Sequence, residues 1–140
     1  MTRKGAARKV DRTYGDGRLR MARAYLSAAR AEYLVADDGD IGNPIISQIA
    51  IAAIAFTAAL TAKYSGLANQ QNHATAVPAL RGALGNRFPK AQEPRLRNIL
   101  NEKDEVQYGT RLKTKGEAAK LLTQLGEFAV WAETELKRPR

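Results

Sequence analysis

Lys103, Asp104, Glu105, Gln107, Tyr108 and Arg111 fall within nine residues, and they form the most polar convergence near the expected core. Lysine and arginine can hold a phosphate, aspartate can orient a neighbour, and tyrosine can donate a proton or a hydrogen bond. Positions 96, 100, 103 and 107 share one helical stripe, and the third of them is Lys103. A charge on an otherwise apolar stripe calls for a partner or a function. The plainer account lays the Lys103 stem on the core and sends its ammonium to water near a helix C-terminus, where the dipole favours a cation.

Other chemistry is narrowly bounded. The chain has no cysteine, which excludes disulfides, iron–sulfur ligation and thiol catalysis. His73 is the single histidine, so a multi-histidine metal site is excluded, and no motif calls for a metal or any other cofactor. His73 sits in the polar stretch Ala68-Asn-Gln-Gln-Asn-His73 with no carboxylate beside it, as a surface or cap histidine would. Asp37-Asp-Gly-Asp40 resembles the start of a calcium loop, but Ile49 stands where the chelating glutamate is needed. Trp131 and the tyrosines on helical stripes read as core or interface residues.

The net charge of +9 is confined to the chain ends. Residues 1–23 carry eight basic side chains against Asp11 and Asp16; Lys137, Arg138 and Arg140 supply the remainder, and residues 24–136 carry twelve charges of each sign. A basic arm containing Arg3, Lys4, Arg8, Lys9 and Arg12 attracts polyanions through phosphate contacts and counterion release, or serves as a solubilising tail. Its low apolar content predicts mobility over residues 1–13. The first residues, Met1-Thr-Arg-Lys-Gly, lack the apolar core of a signal peptide, and the expected location is cytoplasmic.

The elements that must position these groups are helices. Leu19, Ala22, Leu26, Ala29 and Tyr33 trace one face of a helix from about residue 17 to 36. Asn43-Pro44 offers a cap and a first-turn proline for a second helix, which Gly66 stops. Residues 41–62 contain no charge and are long enough to span a bilayer. They are alanine-rich, however, interrupted by Ser47, Gln48, Thr57 and Thr61, and lack an aromatic belt. Ile46, Ile49, Ala53, Phe56 and Leu60 form one face and Ile51, Ile54 and Ala58 another, which suits the central helix of a bundle, or one that also lines a dimer interface. A short helix around Leu80 and Leu84, weakened by Pro78, precedes a fourth marked by Leu96, Ile99, Leu100 and Val106 and ended by Gly109. Thr114 and Glu117 have capping-box spacing before a long amphipathic last helix. No strand alternation is sustained. The expectation is an all-α, up-and-down bundle of four main helices plus one short one, with residues 1–16 as the arm and 17–137 as the domain.

This layout resembles the HEPN superfamily, small α-helical bundles often found as dimers in prokaryotic defence and toxin–antitoxin systems. The matching features are Arg23-Ala-Tyr-Leu-Ser-Ala-Ala-Arg30, the alanine-rich second helix, and Leu100-Asn-Glu-Lys103-Asp104-Glu-Val-Gln-Tyr108-Gly, similar to the family's signature segment. The resemblance covers most of residues 18–136. Catalytic members carry an arginine, a polar residue and, a few residues on, a histidine. Here Lys103 stands at the arginine position, Asp104 at the polar one and Tyr108 at the histidine one. Lysine lacks the bidentate fork of arginine, and tyrosine, with an ordinary pKa of about 10, is a poor general base at neutral pH.

The resemblance therefore implies a non-catalytic, homodimeric binding module for RNA, a nucleotide or a cognate protein partner. Lys103, Asp104, Gln107, Tyr108 and Arg111 would line its groove, doubled if the fourth helices face each other across a two-fold axis. The alternatives are a metal-independent ribonuclease, with Lys103, Asp104 and Tyr108 or His73 as catalytic groups, and a structural scaffold. No membrane association is expected.

Overall fold

The computed structural model describes residues 8–68 and 73–139, apart from the side chain of His73. Arg3, Lys4 and the candidate role of His73 lie outside the described residues. Five helices account for most of the chain: α1 (Arg12–Val35), α2 (Asn43–Ser65), the short α3 (Ala76–Leu84), α4 (Gln92–Tyr108) and α5 (Lys115–Lys137). Two residues on each side, β1 (Arg8–Lys9) and β2 (Leu67–Ala68), pair antiparallel with Arg8 opposite Ala68 and Lys9 opposite Leu67. Among the described residues the fold is all-α apart from this ribbon and an isolated antiparallel bridge between Ile41 and Thr114, neither of which any alternation in the sequence announces.

The uncharged α2 is the axis of the bundle, and each of the other four helices packs on it. Ile46, Ile49, Ala53, Phe56 and Leu60 are buried and the face of Ile51, Ile54 and Ala58 is half-buried. This helix is long and apolar enough to cross a membrane, with a mean hydropathy of 2.0, yet 67% of that window is already buried inside the fold. Three of its polar interruptions find hydrogen-bond partners within the fold, while the Gln48 amide oxygen is buried without one. The Thr57 and Thr61 hydroxyls donate to the Ala53 and Thr57 carbonyls at 2.9 and 2.8 Å, and Gln48 donates to Glu32 of α1 at 2.7 Å. Burying each large apolar side chain contributes about 1.5–3 kcal/mol, so covering α2 organises everything else.

Two boundaries differ from the sequence expectation. First, α1 begins at Arg12 rather than residue 17, because the Asp11 carboxylate accepts from the Tyr14 amide at 3.1 Å and caps the helix ahead of the two glycines. Residues 8–13 are correspondingly held: the Val10 amide donates to the Gly66 carbonyl at 3.0 Å beside the ribbon. Second, Asn43 does not cap α2. Gly42 occupies the cap position without a side-chain bond, and Asn43 is spent across the molecule, donating to the Arg111 carbonyl at 3.2 Å and accepting from the Lys113 amide at 2.7 Å. The other punctuation is as expected: Gly66 ends α2 in the left-handed region at φ 70°, and Thr114 with Glu117 forms a reciprocal capping box.

Gly42 shows how closely the α1–α2 and α4–α5 connections are pressed together. Its amide donates to the Lys113 carbonyl at 2.8 Å, and a Cβ there would stand 2.3 Å from the Thr114 carbonyl oxygen. Backbone cannot yield as a side chain can. Gly42→Ala is therefore expected to destabilise the protein by at least about 2 kcal/mol, read as a lowered urea midpoint. An unchanged midpoint would show that the two connections do not need this contact.

Candidate functional site

The candidates near the end of α4 are divided among separate surroundings. Lys103 is half-buried, and its ammonium contacts Gln107 at 3.1 Å and lies 5.9 Å from the centre of the Tyr108 ring, all on α4 itself. Tyr108 is 78% exposed. Arg111 pairs with Glu117 at 3.1 Å, and its amide donates to Glu105 at 3.3 Å. Asp104 instead lines a cleft of about 290 Å³ between α4 and the turn before α3, together with Ala74, Arg97 and Asn101. The segment thus offers polar surface, and the candidates do not converge on one enclosed pocket.

The buried charges lie elsewhere. Lys113, in the α4–α5 connection, is 4% exposed and pairs with Glu102 at 2.5 Å and Glu117 at 3.6 Å. The Thr114 amide, chiefly, together with Lys113 and Arg111, holds the Glu117 carboxyl below its ordinary range. Lys115 completes this end by donating to the Ala36 carbonyl at 2.7 Å, which closes the C-terminus of α1.

At the opposite end, α2 and α5 finish side by side. The Lys63 ammonium donates to the carbonyls of Glu135 at 3.1 Å and Leu136 at 2.8 Å, and to that of Arg138, and so caps the last turn of α5. Glu135, 4% exposed, accepts from the Tyr64 hydroxyl and faces Arg87 at 3.4 Å and Arg138 at 3.5 Å. Burial and then the bond to Glu135 raise the pKa of Tyr64, so its hydroxyl stays a donor.

Lys63 and Arg138 of this network line a cavity of about 590 Å³ whose walls also include Arg12, Asp16, Leu19 and Lys137. Arg12 from one basic chain end and Lys137 and Arg138 from the other therefore meet around one hollow. Asp11 and Asp16 lie on the α1 side, leaving Lys137 and Arg138 as the basic wall opposite. The ribbon holds Arg8 and Lys9 at the same end, since β2 directly follows the stop of α2. Of the arm, Arg8, Lys9 and Arg12 are thus placed on the body of the protein. No group of His, Asp and Glu able to hold a metal ion occurs among the described residues.

Sequence reasoning missed Lys63, Lys113 and Glu135. Glu135 was accessible to it, because it follows Phe128 and Ala132 at steps of seven and three on the buried stripe of α5. Lys63 is the first charge after the uncharged run. Lys113 sits in a connection, where periodicity carries no signal. No protein-family model matches the chain, and no curated protein matches it either.

One ion pair braces α1 to α5. Arg23 donates to both Glu133 oxygens, at 2.7 and 2.6 Å, and this bond depresses the Glu133 pKa. A depressed carboxylate stabilises the fold above its unfolded value, about 4.3, and loses that contribution as pH falls through the folded value. Stability is expected to decline below about pH 4.5, with a shallower decline in Glu133→Gln, measured by urea unfolding across pH. Equal slopes in the two proteins would remove this pair from the account.

Proposed function

We propose that this protein is a non-catalytic, RNA-binding helical module, HEPN-like in helix order, that grips the phosphate backbone with its basic end. The observation that carries this reading is the meeting of both basic chain segments around the cavity at the ends of α2 and α5. Arg8, Lys9, Arg12, Lys137 and Arg138 give a cluster of cations on rigid or ribbon-held backbone, suited to a chain of phosphates. Asp11 and Asp16 repel phosphate from one wall and would direct a strand along the α5 side. Little at this end can stack on bases, so the expected binding is tolerant of sequence.

Cleavage is not part of the proposal. Lys103 and Tyr108 contact each other on the surface of one helix, with no third group within an enclosed site to order a proton transfer.

Binding of a labelled single-stranded RNA, followed by fluorescence anisotropy, tests the reading. Five phosphate contacts predict a slope of log K against log salt of about −3.5, or roughly a hundredfold loss from about 50 to about 200 mM salt. Arg12→Gln/Lys137→Gln/Arg138→Gln is expected to make the slope shallower by about 2, while the RNA stays intact. Binding unchanged by this triple substitution would refute the basic end as the site. Cleavage abolished by Lys103→Ala would instead establish the ribonuclease.

A further inference from the structure

The outward face of α1 is not built like a solvated helix. Gly17, Met21, Ala24, Ala28, Ala31 and Val35 recur at alternating steps of four and three, and all are exposed. They lie opposite Ala22, Leu26 and Ala29, which α1 buries in the core. A surface helix ordinarily carries its charges there. In α1 the charges sit at the flanks and two turn back to the body: Arg23 to Glu133, and Glu32 to Gln48. Leu34 and Val35 are 80% and 81% exposed. A step pattern of 3.5 residues is the spacing of a helix–helix seam, and its small residues allow close approach.

The two halves of this seam differ in shape. Near its start, Tyr14, Gly17, Arg18, Arg20 and Met21 border a shallow groove of about 600 Å³, and nothing lies within 4 Å of where a Gly17 Cβ would be. The Arg18 Nε in this groove is buried without a hydrogen-bond partner, and its Nη1 has only the Met21 sulfur, at 3.7 Å. The seam ends, by contrast, in the projecting Leu34 and Val35 and the acidic Asp37-Asp-Gly-Asp40. A hollow with a basic rim at one end and a projection with an acidic rim at the other are complementary only when two copies run antiparallel.

We propose that α1 is the two-fold interface of an antiparallel homodimer of this chain. Pairing Ala24 with the partner's Ala28 sets the register. Met21 then meets the partner's Ala31, and the partner's Val35 seats over Gly17. In the same register Tyr14, whose ring carries the Arg8 guanidinium at 5.4 Å, stands level with the partner's Asp38, which is fully exposed in the single chain. A parallel pair would stack basic end on basic end and leave both grooves empty. This surface is distinct from α4, the helix that the family resemblance would place at the two-fold axis. The inference does not rest on RNA binding, because Arg12, Lys137 and Arg138 border the cavity on another side of α1 and Arg8 is the cation that the two surfaces share.

Sedimentation equilibrium of the full chain at micromolar concentration is expected to give twice the chain mass of 15.3 kDa. Ala24→Glu/Ala28→Glu, at two exposed positions, is expected to give a monomer with unchanged helical circular dichroism. Because the chain has no cysteine, orientation can be read directly. Gly17→Cys/Val35→Cys should form a disulfide-linked dimer under mild oxidation while neither single variant does. The two positions are about 27 Å apart along one helix, so they cannot bridge within a chain. A monomeric wild type, a dimer that survives Ala24→Glu/Ala28→Glu, or equal cross-linking by Val35→Cys alone would each overturn the proposal.

Discussion

The structure depends on covering α2. A helix with no charge over residues 41–62 is insoluble by itself, and four helices surround it until Phe56, Leu60 and their neighbours are dry. Once the interior is taken up by this helix, charged groups can be satisfied only at the two ends of the bundle or on its outside. That is where they occur. Lys113 with Glu102 closes one end, and Lys63 with Tyr64 and Glu135 closes the other. Each buried charge has partners, as the cost of an unpaired buried ion requires.

The two ends do different work for the same reason. At the α4–α5 connection, Asn43, Gly42 and Lys115 bind backbone groups, so local side chains are consumed in holding two connections against each other. At the other end, Lys63 satisfies the final carbonyls of α5, which fixes Lys137 and Arg138 beside the start of α1. The basic end is therefore a by-product of capping: the cations that remain around the cavity face solvent on an already braced floor.

The sequence made legible what depends on periodicity and local chemistry. The central helix, the left-handed stop at Gly66, the Thr114–Glu117 box and the confinement of charge to the chain ends all follow from spacing or counting. What escaped depends on three-dimensional neighbours. Asn43 looked like a cap because Asn-Pro is a local signal, yet its partners lie near residue 112. Lys103 stood out because Leu96 and Leu100 precede it on its stripe, yet near the C-terminal end of α4 it is half-buried and turns to Gln107 and Tyr108. The buried lysine is ten residues later, in a connection, where no stripe exists to mark it. The start of α1 was hidden by Gly15 and Gly17, because the Asp11 cap that sets it stands ahead of both.

Those two glycines face opposite surroundings. Gly15 lies against Ala59 and Ala62, so the helix can approach α2 closely there, whereas Gly17 faces outward with nothing near it. A glycine inside an exposed helix costs about 1 kcal/mol relative to alanine, and nothing in the isolated chain offsets that at Gly17. A partner side chain seated in the hollow does. In the proposed antiparallel pair the two basic ends lie at opposite ends of a shared α1 seam, about 36 Å long for a 24-residue helix. A strand long enough to reach both ends binds the second at a high effective concentration, whereas a short strand engages only one. The same helix that lacks outward charge would then convert a weak phosphate grip into a length-selective one, without any contact to a base.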